Sequence, residues 1–126
     1  MSDVSDVNVL RHAQLNKALR KIWFLGDVHG SFNHIEHALL AACIKPNWLL
    51  FLGDIDIDYM SFSQVLAPLR KSYPGIKVGF IHGNHDADTY DQWNNLHDAG
   101  AAVALHGQVL NLGRVKVAGL GGTFLE

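Results

Sequence analysis

The sequence predicts an α/β fold in which parallel strands alternate with helices. Three short apolar runs lie at residues 22–25, 48–52 and 76–81, and each ends in a polar, glycine-containing turn. Segments with helical periodicity separate these runs. Strand–helix–strand alternation is typical of parallel strands joined by right-handed crossovers, and therefore of a layered α/β domain. A length of 126 residues fits one domain.

The first half of the chain supplies the first strand, helix and second strand of this pattern. The runs at 22–25 and 48–52 are short and rich in Ile, Leu, Phe and Trp, as expected for buried strands. A helix is predicted over 31–43, with Ser31 as its N-cap. Its apolar stripe includes Ile35 and Leu39, which predicts the face that packs against the sheet.

Two further helices continue the alternation. A helix is predicted over 59–72, where a Tyr-Pro-Gly turn ends it before the third strand. Another is predicted over 88–99, with Gly100 at its C-cap. Both lie beside the strand at 76–81, so we expect them to flank the sheet.

The last third of the chain predicts three short strands. They cover residues 102–106, 108–112 and 114–120, and Gly107 and Gly113 separate them. Glycine at a joint between strands favours tight turns, so the pattern predicts hairpins, while the periodicity by itself also allows a looser arrangement of the three strands.

Composition excludes several classes of protein. The net charge is -2 and no block of like charges occurs, which argues against a nucleic-acid surface. No apolar run reaches the 18 or so residues of a membrane span. Residues 1–20 form a polar lead-in without the apolar region of a secretory signal. The lone cysteine, Cys43, has no partner for an internal disulfide, so we expect a reducing, cytoplasmic location.

Polar clusters follow each of the first three predicted strands. Residues 26–30 read GDVHG, residues 53–54 read GD, and residues 83–86 read GNHD. A single Gly-Asp or Asp-x-His is ordinary turn chemistry, but three such clusters in order are hard to explain as turns alone. Because ligands bind beyond the carboxyl ends of parallel strands, we expect the three clusters to converge.

Together the clusters offer carboxylates, imidazoles and an amide oxygen, which suit metals such as Mn, Fe or Zn. Asp27 and His29 point the same way if the segment is extended. Asp54 has two oxygens with which to bridge a pair of ions, and Asn84 adds a neutral oxygen. Two ions can clamp a phosphate and lower the pKa of a bridging water. His85 is then placed to protonate the leaving oxygen.

These clusters resemble the first three motifs of the calcineurin-like metallophosphoesterases, in particular small bacterial and phage members. Residues 105–107 and 114–122 resemble mid-domain strands of the same proteins. The likeness runs from about Ile22 to the C-terminus. It implies the N-terminal half of that family's αββα sandwich, with a mixed sheet and flanking helices.

The resemblance also implies roles for individual residues. Asp27 and His29 would bind the first of two divalent metal ions, Asp54 would bridge both ions, and Asn84 would bind the second. His85 would be the catalytic proton donor. The implied function is that of a hydrolase, a metal-dependent phosphoesterase (phosphatase) that cleaves a phosphate ester with a dimetal-bound hydroxide. The metal stays open between Mn, Fe, Zn and Mg.

The chain departs from the family pattern at one position inside the motifs. The family often carries a second aspartate three residues beyond that of its Gly-Asp motif, where it helps to orient the catalytic histidine. Here that position is Ile57. Asp56 and Asp58 flank it, and the orienting role stays unassigned between them.

A larger departure concerns the second half of the family domain. No Gly-His-x-His motif follows Gly122. Residues 21–126 are therefore expected to form an incomplete, C-terminally truncated domain, and its activity is expected to be impaired. The alternative function is a non-catalytic remnant that binds metal or a partner. Missing strands would expose an apolar face and a sheet edge, which predicts self-association or a completing chain.

Overall fold

The computed structural model describes residues 21–26, 28–112 and 115–122. The predicted lead-in at 1–20 lies outside these residues, and so does the predicted metal ligand Asp27. Where the chain is described, it forms a four-stranded sheet, a separate pair of strands, three α-helices and one 3-10 turn.

The four-stranded sheet is parallel throughout its described pairs. Its strands are β1 (Ile22–Leu25), β2 (Trp48–Leu52), β3 (Lys77–Ile81) and β4 (Val103–Ala104), in the order β1-β2-β3-β4. Each strand pairs in parallel with its neighbour. The predicted α/β fold with flanking helices is confirmed. The sheet is not mixed in the described residues, because the antiparallel pairing lies in the separate pair of strands.

The helices fall where the periodicity predicts them but are shorter. They are α1 (Asn33–Ala41), α2 (Phe62–Ser72) and α3 (Tyr90–His97), and a 3-10 turn at His85–Ala87 precedes α3. The longest, α2, has 11 residues, and no helix in the described ranges combines the length and apolar character that a bilayer crossing requires.

The helix ends show how local hydrogen bonding sets the boundaries. Ser61 caps α2 by accepting from the backbone N–H of Gln64, whose side chain returns a bond to the Ser61 N–H. The prediction of Ser31 as the N-cap of α1 is wrong. Phe32 occupies that position without a side-chain cap, while the Ser31 N–H is held in a turn by the Val28 carbonyl.

One face of the sheet carries the main core. Alternating residues of β2 and β3 point to the helices, where Phe62 of α2 meets Phe51 and Phe80 edge-on at centroid distances of 5.3 and 5.4 Å. The other buried members on the helix side include Ile35, Leu39, Leu49, Leu66, Val78 and Leu96. Burying these apolar side chains stabilises one pairing register of the strands. The register in turn determines where the carboxyl ends of the strands lie.

The last strands pair differently from the prediction. β5 (Val109–Asn111) and β6 (Lys116–Ala118) form an antiparallel pair. The predicted hairpin between β4 and β5 is wrong, because β4 joins the large sheet beside β3. Gly107, with a φ of 71°, does allow a tight turn. That turn directs the chain to the second face of the sheet, which is the face opposite the main core.

That second face is only partly covered. Leu50 and Leu105 are buried there beneath residues of the β5–β6 pair, including Leu110 and Val117. Phe24 in β1 and Leu52 at the end of β2 keep about half of their surface exposed, at 52% and 48%.

Candidate active site

The loops after β1 and β2 are tied to each other through their backbones. The N–H of His29 donates to the carbonyl of Asp54 at 3.1 Å, and the N–H of Gly30 donates to the carbonyl of Ile55 at 2.7 Å. His29 and Asp54 both have a φ of 46°. The extended geometry considered for Asp27-x-His29 is therefore not met at His29. Convergence of the first two polar clusters rests on these backbone bonds instead.

A buried carboxylate attaches the loop after β3 (the third loop) to the loop after β2 (the second loop). Asp86 is only 1% exposed. One of its oxygens accepts from the backbone N–H of Asp56 at 2.7 Å, and the other accepts from the N–H of Gly83 at 2.7 Å. Because buried charge is costly without partners, these bonds identify Asp86 as the residue that holds the two loops together.

Asp54 lies against the start of the GNHD segment. Its Oδ1 accepts from the backbone N–H of His85 at 3.1 Å. A Cβ added to Gly83 would lie 2.2 Å from the same oxygen, so only glycine fits there. Asn84, between Gly83 and His85, is exposed, and its side chain does not cap the 3-10 turn that it precedes. Asp54 therefore lies against the backbone of His85, and Asn84 is the residue that precedes His85 in the same loop.

The imidazole ring of His29 lies beside the carboxylate of Asp56. Its Nδ1 lies 3.6 Å from one oxygen of Asp56, and the amide of Gln92 donates to the other oxygen. The rings of His29 and His85 are 5.8 Å apart. A carboxylate on one imidazole nitrogen orients the ring and leaves the other nitrogen for a ligand, as in many metal sites.

His85 has a carboxylate partner that the sequence does not reveal. Its Nδ1 lies 2.9 Å from Asp88 Oδ2. The hydrogen bond to Asp88 raises the pKa of His85, and the charge of Asp54 acts in the same direction. Asp56, one of the two candidates expected for this contact, faces His29 instead.

Within the ranges 21–26, 28–112 and 115–122, no three His, Cys, Asp or Glu side chains form a cluster that could hold a metal ion. Asp27 lies outside these ranges, so the full predicted set of Asp27, His29, Asp54 and Asn84 stays a prediction. The described members offer an imidazole, a carboxylate and an amide oxygen, which are donor types that Mn, Fe and Zn accept.

A cluster of histidine and tryptophan rings lies at the end of β3, and the sequence spacing of these residues did not predict it. His82 lies 4.9 Å from Trp93 and 5.0 Å from His106 between ring centroids, and Trp93 stacks on His97 at 4.0 Å. Burial lowers the pKa of His82, and the neighbouring His106 and His97 lower it further. These residues come from the loop after β3, from α3 and from the segment after β4, so no sequence period connects them.

The match to a known family agrees with this geometry. The calcineurin-like phosphoesterase family matches residues 20–121, which is most of the chain, and the chain belongs to that family. This confirms the resemblance drawn from the three motifs.

A relative in Haemophilus influenzae (strain Rd), described as an uncharacterized protein, is 33% identical over 104 residues. Those residues are 82% of this chain and 42% of the relative, so the chain spans less than half the length of that protein. No solved structure matches the chain.

Proposed function

We propose that this chain is a metal-dependent phosphoesterase that hydrolyses a phosphate ester. The observation that carries the proposal is the hydrogen bonding of three loops into one cluster at the carboxyl edge of the sheet. The backbone of His29 is hydrogen-bonded to that of Asp54, and the Asp54 side chain accepts from the His85 N–H. The Asp86 carboxylate accepts from Asp56 in the loop after β2 and from Gly83 in its own loop. Family membership supports the same activity.

The residues available for metal in this proposal are Asp27, His29, Asp54 and Asn84. When bound, divalent ions would neutralise phosphate charge and lower the pKa of a water molecule. Mn²⁺ is the ion we would test first, because the donors combine imidazole nitrogen with carboxylate and amide oxygen. Fe, Zn and Mg stay as alternatives.

The chain's own groups divide the remaining work. Asp54 receives the backbone N–H of His85 and so fixes the histidine relative to the proposed metal position. His85 is half exposed, with its side chain 49% accessible, so a substrate oxygen can reach the ring. In this proposal His85 donates a proton to the departing oxygen.

Two further properties belong to the same proposal. The partly exposed Phe24 and Leu52 support self-association, or binding of a completing chain, through the second face of the sheet. Light scattering tests this, and a monomer at high concentration would count against it.

The exposed Cys43 supports a reducing, cytoplasmic location.

The direct test is hydrolysis of p-nitrophenyl phosphate with and without added Mn²⁺. We expect activity that requires the metal and falls by about 10²-fold or more in Asp54→Asn and His85→Ala. Asp91→Asn, an exposed carboxylate of α3, is the control and should keep wild-type activity.

The outcomes separate the proposed enzyme from the alternative of a non-catalytic remnant. Metal-dependent activity that both site variants abolish supports the phosphoesterase. Tight Mn²⁺ binding without turnover would favour the non-catalytic protein instead. Activity equal to wild type in both site variants would contradict the site assignment.

A further inference from the structure

The 3-10 turn after β3 places Asp88 on the same face as His85. A 3-10 helix has three residues per turn, so side chains at positions i and i+3 lie above one another. The turn spans His85–Ala87, and the backbone N–H of Asp88 donates to the carbonyl of His85 at 3.3 Å. This geometry brings Asp88 Oδ2 to 2.9 Å from His85 Nδ1.

The other nearby carboxylates are engaged elsewhere. Asp86 is buried and bonded to two backbone N–H groups. Asp56 contacts His29 and Gln92, and Ile57, at the position of the family's aspartate, is fully buried in the core. The carboxylate that is hydrogen-bonded to the His85 ring therefore comes from the loop after β3 itself.

We infer that Asp88 is the positioning residue for His85, a role that the sequence left unassigned between Asp56 and Asp58. This inference rests on the proposed phosphoesterase function. Asp88 accepts a hydrogen bond from Nδ1–H and so directs Nε2, the opposite ring nitrogen, toward the substrate. The backbone bond from His85 to Asp54 fixes the base of the same side chain, so the ring is held from two directions.

In the proposed hydrolysis, His85 supplies the proton and water supplies the attacking oxygen. The oxygen of water forms a bond to phosphorus, and the bond from phosphorus to the leaving oxygen breaks. The electron pair of the broken bond stays on the leaving oxygen, which takes the proton from His85 Nε2. The proton that water loses passes to solvent, and His85 is reprotonated from solvent. Asp88 keeps its hydrogen bond to Nδ1 throughout and exchanges no proton.

A comparison of leaving groups tests this role. Phenyl phosphate releases a weakly acidic phenol whose oxygen needs a proton, whereas 2,4-dinitrophenyl phosphate releases a stable anion that needs none. With Mn²⁺ present, Asp88→Asn should lower kcat for phenyl phosphate by about tenfold or more, since general acid catalysis contributes ~10²–10⁴-fold. It should leave kcat for 2,4-dinitrophenyl phosphate and both KM values within about twofold. Asp91→Asn, three residues further along, is the matched control.

A second readout does not depend on turnover. Long-range ¹H–¹⁵N NMR of the histidine rings reports which nitrogen of His85 carries the proton in its neutral form. The wild type should show Nδ1–H, and Asp88→Asn should lose that preference, since an asparagine amide can donate to Nδ1 as well as accept from it.

The outcomes distinguish the two proposals. An active wild type whose Asp88→Asn variant slows both substrates equally, or neither, overturns the Asp88 assignment alone. So does an unchanged His85 tautomer in that variant. A wild type that hydrolyses neither ester with any of the four metals overturns the proposed function, and with it the role of Asp88 in catalysis.

Discussion

The carboxylate of Asp86 accepts a 2.7 Å hydrogen bond from the backbone N–H of Asp56, 30 residues earlier in the chain. Its other oxygen accepts from Gly83, within its own loop. One buried side chain thus links the loop that carries Asp54 to the loop that carries His85. The hydrogen bond from the His85 N–H to Asp54 Oδ1 links the same two loops at the proposed site itself.

Replacing Asp86 should therefore destabilise the fold. Asp86→Ala leaves two backbone N–H groups without their acceptor, and each unsatisfied buried group costs about 1–3 kcal/mol. We expect the free energy of unfolding, measured by urea titration, to fall by about 2–5 kcal/mol. Asp91→Asn, on the surface, should change it by less than about 0.5 kcal/mol. Equal stability of Asp86→Ala and wild type would show that Asp86 does not hold the loops together.

Gly83 tests the close approach between the second and third loops. In Gly83→Ala the new Cβ would lie 2.2 Å from Asp54 Oδ1, so the carboxylate or the loop must move. We expect the rate of p-nitrophenyl phosphate hydrolysis to fall by about 10²-fold, since displacements near 1 Å have effects of that size. Gly75→Ala is the matched control, because its Cβ would meet no atom within 4 Å. Equal activity of the two variants would contradict the described packing of Gly83.

Asp56 is expected to act on metal affinity through His29. Removing its charge in Asp56→Asn should weaken the orientation of the His29 ring and raise the Kd for Mn²⁺ by about tenfold, the lower end for groups that support metal ligands. Asp58→Asn changes an exposed carboxylate two residues away and should leave the Kd within about twofold. Calorimetric titration measures both. Equal Kd values for the two variants would remove Asp56 from this role.

The ring group around His82 predicts a loss of stability in mild acid. Burial, His106 and His97 lower the pKa of His82, while Asp86 opposes them. The unfolded chain then binds more protons than the folded chain once the pH falls below about 6.5, so stability decreases as the pH falls through and below that value. His82→Gln should flatten the decline of Tm between about pH 7.5 and 5.5.

The control for this pH effect is His37→Gln, which changes an exposed histidine of α1. It should keep the wild-type dependence of Tm on pH. If His82→Gln declines as steeply as the wild type and His37→Gln, protonation of His82 does not govern acid stability.

Much of the fold is predictable from the sequence because its signals are local. The first two predicted strands have the same first and last residues as β1 and β2 in the structure. The glycine-containing polar turns that follow them are the loops of the candidate site. Parallel strands place those turns at one edge, so convergence of Asp54, Asn84 and His85 follows from the strand pattern. The errors occur where pairing is non-local. β4 was expected to form a hairpin, yet its place beside β3 is decided by packing that no short window contains.

The supporting residues were harder to predict. Asp86 looks like one more polar residue of the GNHD segment, and its burial is visible only when the second loop is placed against it. Asp88 reaches His85 because residues 85–87 adopt a 3-10 turn, whereas the sequence predicts a helix only from residue 88. Side chains three residues apart are in contact in a 3-10 turn, but they are far apart in an extended chain.

The central claim is that the three loops form one centre for a divalent metal. Calorimetric titration of Mn²⁺ into the wild type and into Asp54→Asn tests it most directly, with Asp91→Asn as the control. We expect saturable binding by the wild type and the control, and a loss of affinity of at least about tenfold in Asp54→Asn. Mn²⁺ affinity unchanged by Asp54→Asn, or a wild type that binds no Mn²⁺, would contradict it.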